Sequence, residues 1–197
     1  MAKPKLLTIT GPSGGGKTEL LGILCQNHNF AKLVSVTTRP MRPGEVEGVD
    51  YYFISEDRFR KLQELKALVQ EVNFNGAWYG TTQAELVNIV EQGKIPAVIV
   101  EPGGVDQFAE ICDSLGYELV SVYVGAQLGQ LVERFIKRMV GETITEDRAA
   151  YYSRRLNSLF YEYETWEEEH SYHMYVYNTG TIDKLISYAQ NIAEYTQ

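Results

Sequence analysis

The chain has 197 residues, 44% hydrophobic and 22% charged, enough to bury the core of one domain without staples. Eighteen Lys+Arg against 26 Asp+Glu give a formal net charge of -8, which excludes a generally basic nucleic-acid-binding surface but allows a local arginine cluster. Cys25 and Cys112 match no metal or redox spacing, and Met1-Ala2-Lys3-Pro4-Lys5 leads into an apolar run too short for a signal peptide or a membrane span. The expectation is a cytoplasmic globular protein with buried thiols and with neither nucleic acid nor membrane as partner. Oligomeric state is left open.

Leu6-Leu7-Thr8-Ile9 predicts a buried strand that ends at a glycine-rich turn. Glu19 to Gln26 carries Leu20, Leu21, Ile23 and Leu24 at helical spacing. Leu33 to Thr37 is β-branched and strand-like, and Pro40 to Gly44 is turn chemistry. Tyr51 to Ile54 predicts a short strand, and Ser55 the N-cap of a helix reaching about Lys66. Leu68 to Phe74, Asn75-Gly76 and Ala77 to Tyr79 predict a hairpin with a type I′ turn. Thr82 to Glu91 predicts a helix that stops at Gly93. Ala97 to Val100 predicts a strand covered on both faces, followed by a helix from Asp106 to Leu115. Leu119 to Val124 is the next strand, then helices over Gln127–Met139 and about Thr145–Glu169. Met174 to Tyr177 predicts the last strand and Ile182 to Tyr195 the last helix. Strand and helix alternate, so the fold class is α/β with a parallel sheet flanked by helices. The interval from about Tyr51 to Gly80 breaks that alternation and reads as a small β-rich insertion.

Two loops carry chemistry. Gly11-Pro12-Ser13-Gly14-Gly15-Gly16-Lys17-Thr18 fits G-x-x-x-x-G-K-[ST] between a predicted strand and a predicted helix. Small residues let successive backbone N–H groups curl around phosphate oxygens, and the helix N-terminus adds positive potential. Lys17 would reach the terminal phosphates, and Thr18 would ligate Mg²⁺. In the second loop Arg39 and Arg42 flank a proline turn, and two forked guanidiniums suit a phosphate monoester. Tyr51 and Tyr79 could add hydroxyls to the same phosphate.

The run Thr37-Thr38-Arg39, Arg42-x-Gly44-Glu45 and Gly48-x-Asp50-Tyr51-x-Phe53 closely resembles the nucleotide-monophosphate segment of guanylate kinases. So do the phosphate loop, Tyr79-Gly80-Thr81, Arg155-Leu156 with Glu162, and the last strand ending at Asn178. The resemblance covers nearly the whole chain in order. It implies one P-loop domain over residues 1–197, with a core (1–34, 96–125 and 156–197), an NMP-binding flap (35–95) and a helical lid (126–155). It implies ATP and Mg²⁺ as cofactors, with Gly11, Ser13, Gly14, Gly15, Gly16, Lys17, Thr18 and Asn178 at the ATP site. It implies transfer of the γ-phosphate to GMP or dGMP. Ser35, Arg39, Arg42, Tyr51, Tyr79 and Thr81 match GMP-site positions, with Ser35 and Thr81 near the base. Arg134, Arg138 and Arg155 match lid arginines, of which Arg138 and Arg155, with Lys17 and Arg39, are the expected catalytic set.

Three departures bear on specificity. The family's glutamate before the hairpin is Gln70 here, followed by Glu71. A carboxylate accepts from both N1–H and the 2-amino group of guanine, whereas Gln70 turns one donor toward donors. Either Glu71 swings in after a register shift, or the favoured base is not simply guanine. After the apolar strand the family's two aspartates become Ile99 and Glu101, leaving Glu101 as the single acid there and a candidate base or metal-water contact. The stretch between Arg138 and Arg155 is longer than usual and adds Arg148 and Arg154. Two other readings follow: a kinase for another (deoxy)nucleoside monophosphate, and a non-catalytic guanylate-kinase-like binding module. The intact Gly16-Lys17-Thr18 weighs against the module.

Overall fold

The computed structural model describes residues 3–42, 44–74, 76–139 and 145–197, without the side chains of Phe74 and Arg138. A five-stranded sheet has the order β2 (Phe30–Lys32), β7 (Ile95–Ile99), β1 (Lys5–Thr10), β8 (Glu118–Gly125) and β9 (Met174–Tyr177). The β2/β7 and β8/β9 pairs are parallel. A second sheet has the order β4 (Tyr52–Phe53), β3 (Val36–Thr37), β6 (Ala77–Thr82) and β5 (Leu68–Phe74). The α/β class expected from the alternation is the one observed.

The chain divides into two compact units. The first holds the chain up to Leu7, Asn29–Val98 and Asp106–Leu119. It contains the second sheet, α2 (Glu56–Glu64) and α3 (Gln83–Glu91). Ser55 and Thr82 cap these helices by accepting from the amides of Arg58 and Glu85. Phe59 of α2 is buried and stacks on Trp78 of β6 at 5.6 Å, which anchors the helix to one face of the hairpin. The hairpin forms as predicted, but Asn75 of its turn lies outside the described residues.

The second unit holds Thr8–His28, Ile99–Val105 and Val120–Gln197. Its helices are α1 (Lys17–Asn27), the start of α4 (Pro102–Leu115), α5 (Leu128–Met139), α6 (Glu146–Thr165) and α7 (Ile182–Tyr195). Ile9, Leu20, Leu24, Val122, Val124 and Ile192 are fully buried. Leu131 of α5 and Leu159 of α6 pack together with Ala126, covered by Leu128, Val132 and Phe135.

Three boundaries differ from expectation. Of the run Leu33–Thr37 only Val36–Thr37 is strand (β3, paired with β6): β2 ends at Lys32, paired with β7, and residues 33–35 carry the chain from one sheet to the other. Helix α4 starts at Pro102 rather than Asp106, because proline is well placed in a first turn. Helix α6 stops at Thr165, four residues short of Glu169.

Candidate active site

In the second unit, β1 delivers the chain to the phosphate loop and α1 leads away from it. Gly16 is the N-cap of α1 with φ +101°, and no side chain caps the helix. Its first amides are therefore available to an anion. A Cβ on Gly15 would lie 2.6 Å from the Val124 carbonyl, and one on Gly16 would overlap the Asn178 amide. The glycines are demanded by close packing of the loop on its neighbours. A cleft of about 470 Å³ is lined by Ser13, Gly14, Gly16, Lys17, Thr18 and Glu19 of the loop and α1, with Arg134 and Lys137 of α5.

Polar contacts brace this loop from distant elements. The Ser13 amide donates to Glu162 Oε2 at 2.6 Å, and Ser158 donates to the other Glu162 oxygen at 2.7 Å. Arg155 donates to Ser13 Oγ at 2.8 Å. Arg134 donates to the Gly14 carbonyl at 2.8 Å and to the Asn178 carbonyl at 3.4 Å. Asn178 Nδ2 donates to the Gly15 carbonyl at 2.9 Å. Lys17 Nζ donates to the carbonyls of Gly11 at 2.5 Å and Pro12 at 2.9 Å, which keeps the ammonium inside the loop's curve.

The cradle fits a triphosphate. Small residues, open amides and three cations converge, and Thr18 supplies a hydroxyl on the exposed side of α1. Among the described residues no three His, Cys, Asp or Glu side chains could hold a metal together. A magnesium ion at Thr18 would take most of its ligands from phosphate oxygens and water.

In the first unit six of the substrate-site residues expected from sequence, Ser35, Arg39, Tyr51, Gln70, Tyr79 and Thr81, gather along one sheet face. In the β5/β6 register Gln70 lies opposite Thr81 and Val72 opposite Tyr79, so these four share a face. Ser35 lies 3.4 Å from the Thr81 hydroxyl. The Tyr51 ring meets Tyr79 edge-on at 5.7 Å, and the Arg39 guanidinium lies 5.2 Å from the Tyr51 ring and 5.5 Å from Phe53. Burial, the first cause, pushes the Tyr51 hydroxyl above the usual tyrosine range, so it remains a neutral donor.

Arg39 is held by Glu45, a residue whose role the sequence does not announce. Glu45 accepts from Arg39 Nη2 at 2.5 Å and Nη1 at 2.8 Å, and from the Arg42 amide at 2.7 Å. The Arg39 bonds first, then the Arg42 amide, hold the Glu45 carboxyl down to about 2. The same pair raises Arg39 further into its charged range. Arg42 itself is exposed.

The register answers the question about Glu71. It lies opposite Gly80, on the face covered by α2, and accepts a hydrogen bond from Gln63 at 3.1 Å. The irregularity between Leu68 and Gln70 therefore leaves Gln70, not Glu71, beside Thr81. Glu101 is exposed just before α4, in the second unit. Arg138 belongs to α5, but its side chain lies outside the described residues. Arg134, which the resemblance places only among the lid arginines, braces both Gly14 and Asn178. Its signal was its position one helical turn before Arg138.

A family model described as Guanylate kinase matches residues 3–194. The chain belongs to the guanylate kinase family. It is 38% identical over 154 residues to a guanylate kinase of Thermosynechococcus vestitus, covering 74% of this chain and 81% of that one. It is 42% identical over 108 residues to one of Trichodesmium erythraeum, covering 54% of this chain and 58% of that one. The chain spans about half the length of the matching guanylate kinases of Nostoc and Chlamydia felis. The crystal structure of guanylate kinase from Anaplasma phagocytophilum matches all of this chain and 88% of that one, with TM-score 0.68 and 23% identity. That likeness speaks to the fold, and the guanylate kinase fold is the P-loop architecture expected from the sequence. No helix among the described residues is long and apolar enough to cross a membrane.

Proposed function

We propose that the chain is a nucleoside monophosphate kinase that transfers the γ-phosphate of ATP to GMP or dGMP. The observation that carries this reading is the pair of phosphate-binding constellations: the braced loop with Lys17, Arg134 and Arg155, and the Arg39–Tyr51–Tyr79 group. ATP would supply the phosphoryl group, and Thr18 would help hold a Mg²⁺ ion whose charge offsets that of the phosphates. The chain's residues supply positioning and positive charge, which is most of what phosphoryl transfer requires. Lys17 and the loop amides hold the donor phosphates. Arg39, Arg42 and the two tyrosine hydroxyls hold the acceptor phosphate, which is already largely ionised at pH 7 and needs no base. Arg138 and Arg155 stabilise charge on the moving phosphoryl. Ser35, Gln70, Thr81 and Glu101 meet the base, and Asn178 the adenine end of ATP. In this reading residues 35–95 act as an NMP-binding flap and 126–155 as a lid, and the enzyme works in the cytoplasm.

One observation favours a second reading, relaxed or altered base choice. The face that carries Ser35 and Thr81 presents Gln70 and no carboxylate from β5, since Glu71 points to α2. A coupled assay with ATP, Mg²⁺ and each common nucleoside monophosphate separates the two. Turnover confined to GMP and dGMP supports the first reading, and turnover of another monophosphate at equal efficiency supports the second.

A further inference from the structure

A second cleft of about 430 Å³ lies in the second unit, lined by Tyr123, Gly125, Ala126 and Gln127 at the end of β8, Tyr177 of β9, and Tyr163, Glu164, Glu167 and Glu168 at the end of α6 and just beyond it. It shares no lining residue with the phosphate-loop cleft. Its chemistry has one sign: three carboxylates and three phenol rings line it, and among the described residues no lysine, arginine or histidine does. Glu164 and Glu168 make no side-chain ion pair or hydrogen bond among the described residues, while Glu167 accepts from the Tyr177 hydroxyl.

Tyr123 adds an independent sign of a ligand. The residue is 1% exposed, lines the cleft, and its hydroxyl has no hydrogen-bond partner among the described residues. Among the described residues the fully enclosed side-chain oxygens without a partner are those of Thr8 and Thr10, so the Tyr123 oxygen is open to the cleft, where water or a ligand's donor can meet it. Burial, followed by Glu167, pushes this hydroxyl well above the usual tyrosine range, so its oxygen stays a neutral acceptor. Gly125 keeps the floor open, since a Cβ there would lie 2.9 Å from the Tyr177 ring and 3.1 Å from the Tyr123 ring.

Acceptor oxygens and aromatic faces around a small cleft match an organic cation. A metal is the poorer match, because no three acidic groups among the described residues converge to hold one. We propose that this cleft binds an alkylammonium group, carried by a free amine or by a lysine side chain of another polypeptide. The ammonium sits among Glu164, Glu168 and the Tyr123 oxygen, and its alkyl stem lies against the Tyr163 and Tyr177 rings. The site is independent of the kinase reading.

The test is a titration of the full chain, followed by amide NMR, with 1,4-diaminobutane, with an acetylated tetralysine peptide and with the neutral isostere 1,4-butanediol. The expected result is saturable shifts at Gly125, Ala126, Gln127 and Tyr177 with at least one of the two amines and not with the diol. Tighter binding of the diamine assigns a free amine, tighter binding of the peptide assigns a polypeptide, and either supports the site. Glu164 and Glu168 are exposed, so the Glu164→Gln/Glu168→Gln chain folds, and its affinity falls about tenfold or more. Tyr123→Phe weakens binding roughly threefold or more. Absence of saturable shifts with both amines, equal shifts with the diol, or unchanged affinity in the double variant would overturn the proposal.

Discussion

The buried carboxylate of Glu162 accepts the backbone amide of Ser13 at 2.6 Å, joining α6 to the phosphate loop across 149 residues. That amide is engaged by Glu162 rather than left open to a ligand. The bond fixes the loop's curvature while leaving the amides at the start of α1 for phosphate. Glu162→Ala leaves the Ser13 amide and the Ser158 hydroxyl without this acceptor, and costs about 1–3 kcal/mol of stability. Denaturant unfolding reads the loss, and ATP titration of the folded variant reads a weaker loop. Equal stability and equal ATP affinity would remove Glu162 from the brace.

Gly16 tests the cradle from the other side. Its φ of +101° is strained for any L side chain, and a Cβ would overlap the Asn178 amide. Gly16→Ala is expected to break the Asn178–Gly15 bond and to weaken ATP binding at least about tenfold, from the strain and the lost bond together. Isothermal titration with a non-hydrolysable ATP analogue measures it.

The Arg39–Glu45 pair sets an acid limit. The Glu45 carboxyl is held down to about 2, whereas an unfolded glutamate titrates near about 4.3. Between those values the unfolded chain binds more protons than the folded one. The pair's contribution is therefore complete above about pH 4.3 and is lost as pH falls toward 2. Glu45→Gln is expected to flatten the pH dependence of stability in that window. An unchanged acid slope would mean that the pair is not kept in solution.

In the proposed reading Gln70 decides base choice. Gln70→Glu restores a carboxylate beside Thr81 and is expected to raise the preference for GMP over IMP roughly tenfold to a hundredfold, because the 2-amino donor gains an acceptor. Glu71→Gln, on the α2 face, is expected to leave that ratio unchanged. The ratio of kcat/KM values for the two monophosphates is the measurement.

The phosphate loop was legible because its chemistry is local: strand, glycines, Lys17-Thr18 and helix are contiguous. The order of strands and helices was legible for the same reason, since each element carries its own periodicity. What joins distant residues was not. Nothing in the acidic run of α6 separates Glu162, buried against Ser13, from exposed Glu164, beyond the family position it matches. The β5 pattern Leu68-Val69-Gln70-Glu71-Val72 alternates poorly, so only strand pairing reveals which of Gln70 and Glu71 shares a face with Thr81. The run Leu33–Thr37 reads as one strand because β-propensity does not show that residues 33–35 are spent on the crossing from one sheet to the other, leaving only Val36–Thr37 to pair.

The most direct test is steady-state turnover with ATP, Mg²⁺ and each common ribo- and deoxynucleoside monophosphate, for the natural chain and for Lys17→Ala. The account predicts ADP formation that depends on GMP or dGMP and falls at least about a hundredfold in Lys17→Ala, as expected when a charge-stabilising group is removed. No turnover with any acceptor, from a chain that still binds ATP, would contradict it.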